Sequence, residues 1–160
     1  MKMGNKFKIP VNANLYWNKL NEASDKEIQD SVRLNFYWLC AQLGIAYDKR
    51  KQLDGTEMVD KFTQKLEPHS SMIRGLMLAA IWRYRETKKG EIQDQLIKLL
   101  AADNFTKISS DGIDLLDNFA AGGFQIIEDN IPSKQGWPYF MKKYHNLMQK
   151  APSFNYSILE

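Results

Sequence analysis

Between Ser109 and Pro132 the chain carries one long helical signature, and it constrains the fold more than any other stretch. Ile113, Leu116, Ala120, Gly123, Phe124, Ile127 and Ile131 recur at the spacing that gathers side chains on one face of an α-helix. Ser109 to Asp111 supply polar residues for its start, and Pro132 ends it. Inside it, "FAAGGF" (Phe119 to Phe124) sets small residues side by side. Two interior glycines cost a helix roughly 1–2 kcal/mol in propensity, so something must compensate. A close neighbouring helix, a ligand or a deliberate break would serve; tight helix packing is the simplest of these.

Weaker versions of the same period recur along the chain. "SDKE" (Ser24 to Glu27) has capping-box spacing and predicts a helix bearing Ile28, Val32, Phe36, Leu39, Cys40 and Leu43, stopped by Gly44. Thr56 reads as the cap of a short helix with Met58, Val59, Phe62 and Leu66 inward, ended by Pro68. Ser70 or Ser71 opens a helix that Gly90 closes, and Ile92, Leu96, Leu99 and Leu100 line another. Pro138 suits the first turn of a last helix, Trp137 to about Lys150, with Phe140, Met141, Tyr144, Leu147 and Met148 on one face.

Six helices and no strong strand run predict an all-α, single-domain bundle over residues 1–160. Its expected core includes Ile28, Phe36, Leu39, Ile73, Leu76, Ile81, Leu96, Leu99, Leu116 and Ile127. Residues 1–20 and 151–160 read as extended arms, since Pro10 argues against an early helix. Phe7 and Ile9, and likewise Phe154, Tyr156 and Ile158, alternate with polar residues at the strand period. The two arms could therefore pair as a small ribbon.

Composition narrows the function classes. With 44% hydrophobic and 26% charged residues the chain belongs with folded globular proteins rather than disordered ones. Cys40 is the single cysteine, which excludes an internal disulfide and argues against a thiolate zinc cluster. It lies on an apolar stripe, where burial raises a thiol's pKa and makes it inert. The longest apolar run, Leu76 to Trp82, falls far short of the ~20 residues that cross a bilayer. The N-terminal stretch has no apolar core of a secretory signal, and cytosol is the expected compartment. The +3 formal charge is unevenly spread: residues 1–20 and 133–159 hold lysines and no acid, whereas residues 103–131 are acidic. Such a pattern suits either charge complementarity within the fold or a polarised surface.

No catalytic residue and no cofactor are assigned. His69 and His145 lack metal-binding spacing, and neither a GxxxxGK[ST] nor a GxGxxG phosphate loop occurs. Two basic, aromatic-bearing segments stand out instead. Arg74, Arg85, Lys88 and Lys89 gather on one arc of the Ser70–Gly90 helix, beside its apolar face, with Trp82 at the arc's edge. Tyr139, Lys142 and Lys143 lie opposite the apolar face of the last helix. Either set could neutralise phosphates and stack a base. The simpler reading is cations at a helix end and solvated lysines beside a packed tyrosine. Asp114 and Asp117, three apart, could share a hard divalent cation, although a solvated or ion-paired acidic face explains them more simply. The leading expectation is a non-catalytic binding or adaptor protein that contacts another protein, or its own copy, through a helical surface. A nucleic-acid-binding protein comes second, and a metal-dependent enzyme using the aspartate pair third.

Overall fold

The computed structural model describes residues 6–29, 33–53, 59–63 and 110–151. In order these form β1 (Lys6–Pro10), α1 (Val11–Glu22), a 3-10 turn (Lys26–Ile28), α2 (Arg33–Ala46), β2 (Val59–Thr63), α3 (Ser110–Asn130), a second 3-10 turn (Ser133–Gln135) and α4 (Trp137–Lys150). The architecture is all-α in character, with four α-helices among the described residues and one two-stranded antiparallel ribbon. The expected helices over residues 70–100 lie outside the described residues, as do Ile73, Leu76, Ile81, Leu96 and Leu99. The same holds for the alternating tail from Phe154 to Ile158.

Helices α2 and α3 form the heart of the fold, and small residues set their crossing. A methyl group added at Gly123 would collide with the Cys40 carbonyl oxygen and crowd the Gly44 backbone, and one added at Gly44 would meet the Phe119 carbonyl. The two backbones therefore touch where both helices lack a side chain. Gly122 gives the same clearance to the Lys49 carbonyl, and the Lys51 amide donates to the Asn118 carbonyl at 2.9 Å, so the chain leaving α2 runs along α3. The "FAAGGF" stretch is thus compensated by helix-to-helix packing, the simplest of the three expectations. Every residue of the α3 period, from Ile113 through Ile131, is buried.

Five sequence expectations are overturned. Gly44 does not stop α2; the helix runs on to Ala46, and Asp48, with φ 52°, makes the left-handed turn. Asp tolerates that conformation better than most residues with a side chain. "SDKE" caps no α-helix, because the Ser24 hydroxyl is occupied elsewhere: it donates to the Leu20 carbonyl and accepts from the Trp137 amide. Ile28, expected in the core, is 44% exposed on the short 3-10 turn that follows. Residues 11–20 are α-helix rather than an arm, since Pro10 occupies the N-cap, where its missing N–H costs nothing. Finally, Val59–Thr63 is a strand instead of part of a helix, and it pairs with β1 from Lys6↔Thr63 to Pro10↔Val59. Val, Phe and Thr favour extended backbone, and β1 supplies a partner that no local pattern reveals. The strand period of Phe7 and Ile9 was sound, and both side chains are fully buried.

An aromatic cluster joins α1, α2, α3 and α4. Tyr16 stacks on Phe36 at 5.8 Å and meets Phe124 edge-on, while Phe140 lies between Trp137 and Tyr144 at 5.3 and 5.9 Å. Polar tips fasten this apolar mass. Tyr16 donates to the Ile131 carbonyl at 2.5 Å, Tyr144 to the Leu39 carbonyl at 2.8 Å, and the Trp137 indole to Asn21 Oδ1 at 2.6 Å. Burial pushes the Tyr16 and Tyr144 hydroxyls above their ordinary range, so both remain protonated donors.

Candidate functional site

Helix α4 is anchored on one side and open on the other. Trp137, Phe140 and Tyr144 are buried, and Leu147 and Met148 pack partly against the core. Gly136, at φ 81°, turns the chain into the helix, and Pro138 occupies its first turn. The outer side presents Pro138, Met141, Lys142, His145 and Gln149, all exposed. These positions follow helical spacing, so they form one stripe. Met141 is 43% exposed and stands next to Lys142 in the chain. From Ile131 to Ala151 the sequence carries Lys134, Lys142, Lys143 and Lys150 without a carboxylate. The stripe therefore sets Met141 beside Lys142, in a stretch of chain that carries lysines and no acid.

The residues singled out from sequence separate into three groups. Arg74, Trp82, Arg85, Lys89 and His69 lie outside the described residues. Tyr139, Lys142 and Lys143 do come together on α4, yet not as an open stacking platform. Tyr139 is half-buried against the core, and the Lys143 ammonium sits 5.5 Å from the centre of its ring. That cation–π contact already occupies one ring face. Lys142 projects into solvent.

The aspartate pair splits. Asp114 is exposed, whereas Asp117 is buried, contrary to the expected solvated acidic face. Asp117 Oδ1 accepts from the Tyr37 hydroxyl at 2.7 Å and from the Lys8 amide at 3.1 Å. Its Oδ2 is buried with no hydrogen-bond partner. Burial raises its carboxyl to about 7, against the opposing pull of Tyr37 and of Lys8's amide and charge. Burial likewise lifts Tyr37 well above the ordinary phenol range, so it stays a donor. A carboxylate turned inward and another turned outward do not make a shared cation cradle, and no group of three or more potential metal ligands occurs among the described residues. Cys40 is fully buried, and burial holds its thiol far above the reactive range.

Asp117 was legible in the pattern. At 100° per residue it lies only about 40° from Ile113 and about 20° from Phe124, which places it at the edge of the apolar face of its own helix. Among the described residues, no helix is long and apolar enough to cross a membrane. Comparison with known proteins finds no matching family model, no matching curated protein and no matching solved structure.

Proposed function

We propose that this chain is a non-catalytic binding or adaptor protein that recognises another protein, or a second copy of itself, through the outer stripe of α4. One observation carries the reading: exposed Met141 lies beside Lys142 and one turn from His145, on a helix whose opposite side is locked into an aromatic core. A rigid helix offering one apolar anchor within a charged rim has the anatomy of a recognition surface. A cytosolic setting fits the lone buried cysteine.

Nucleic acid is the second reading, favoured by the stretch of lysines without acids. The Lys143 ammonium over Tyr139 weighs against it, because base stacking there must displace that cation. The test uses Met141→Glu/Lys142→Glu, two exposed changes that leave the core untouched. Wild type and variant serve as baits, each with nuclease treatment, and captured proteins are purified and titrated back. A purified partner that loses tenfold or more in affinity for the variant supports the reading. Equal affinity for both baits refutes it, and binding that vanishes with nuclease and falls steeply with salt transfers the function to nucleic acid.

A further inference from the structure

The carboxyl group of Asp117 stands where β1, α2 and α3 meet, 3% exposed, and its two oxygens are unequally served. Oδ1 takes both donors, the Tyr37 hydroxyl from α2 and the Lys8 amide from β1, while Oδ2 has none. A buried carboxylate oxygen without a donor is a costly arrangement, and water can reach it only if something moves. The element that covers the carboxyl is β1, a five-residue strand that pairs with β2, packs Phe7 against Tyr37 and Trp38, and gives its Lys8 amide to Oδ1.

We propose that Asp117 is a proton-operated latch for β1: a proton on Oδ2 lets the strand stay closed over the carboxyl, and its loss drives the strand to open and admit water. The exchange balances simply. In the closed form Oδ2 carries the proton and Oδ1 keeps both of its donors; on opening, the proton passes to solvent and water hydrates the carboxylate. Charged and titratable groups around the latch come from each packed element. From β1 comes Lys8, which faces Lys61 of β2 in the ladder; from α2, the Tyr37 phenol, with the Cys40 thiol beyond it; from α3, Asp114 one turn away. Lys8 favours the charged form and Asp114 opposes it, but burial outweighs both.

The direction follows from linkage. The closed form binds its proton with a midpoint near 7, whereas a hydrated aspartate does so near about 3.9. Between those values the closed form holds more protons, so raising pH favours opening. Amide exchange at Lys8 reads the opening directly, with the Asp117 carboxyl carbon followed by NMR in the same full-length chain. After correction for intrinsic exchange, Lys8 protection is expected to fall more than tenfold from pH 5 to pH 7. Asp117→Asn, neutral at every pH, is expected to remove that fall, and the wild-type carboxyl carbon to titrate near 7. A carboxyl midpoint below about 5, pH-independent protection in the wild type, or an equal slope in the Asn variant each overturns the latch. If the Asn variant does not fold, the two wild-type measurements decide the matter alone.

Discussion

At the scale of single residues, the outcome turns on which side chains the apolar faces contain that are not apolar. Asp117 shares the inner face of α3 with Ile113, Leu116 and Phe119, so folding takes a carboxyl group out of water. Its folded pKa is raised, near 7, above the unfolded value of about 3.9. The associated stability is fully present below about pH 4 and is lost as pH rises through 7. Asp117→Asn keeps an acceptor for Tyr37 and Lys8 without the charge. It should therefore stabilise the protein at pH 8 by roughly 1–3 kcal/mol, with the gain shrinking toward pH 4, as read by urea unfolding at several pH values. Tyr16→Phe removes the donor to the Ile131 carbonyl and leaves that acceptor unsatisfied. A loss of about 1–2 kcal/mol in the same assay is expected.

At the scale of elements, the crossing of α2 and α3 makes the firmest demand. Gly123→Ala gains up to about 1 kcal/mol in helix propensity but drives a methyl group into the Cys40 carbonyl, a backbone atom that cannot swing aside. Backbone displacement should win, with a net loss of roughly 2 kcal/mol or more in thermal or chemical unfolding. An unchanged midpoint would mean that the helices do not cross there. The long helices α3 and α4 were legible because their period persists for several turns and Pro or Gly marks their ends. The short elements were not. Pro10 was read as a breaker although proline also begins helices, and α1 follows it directly. Residues 59–63 carry apolar side chains that fit a helix or a strand equally, and the arbiter is β1, about fifty residues earlier in the chain. Ser24 failed as a cap for a similar reason: its hydroxyl is committed to the backbone of Leu20 and, far along the chain, of Trp137.

At the scale of the whole molecule, α4 mediates between core and surroundings. Its inner residues close the aromatic cluster, and its outer residues leave a methionine and several cations in water. The sequence marked Tyr139, Lys142 and Lys143 as one group, and the fold divides them into a core-facing tyrosine, the lysine over its ring and a free-standing lysine. It missed Met141, which was grouped with Phe140, Tyr144, Leu147 and Met148 on the inner face; Met141 lies at the edge of that arc, about 100° from Phe140, and the fold leaves it exposed. The reading of α4 as a recognition helix is tested most directly by the methyl NMR signal of Met141, recorded while a purified partner is added to the full-length chain. Met141 should shift or broaden in step with binding, well ahead of the methyl groups of the fully buried Leu20 and Leu43 in the core. A partner that saturates the protein and leaves the Met141 methyl unmoved would contradict the reading.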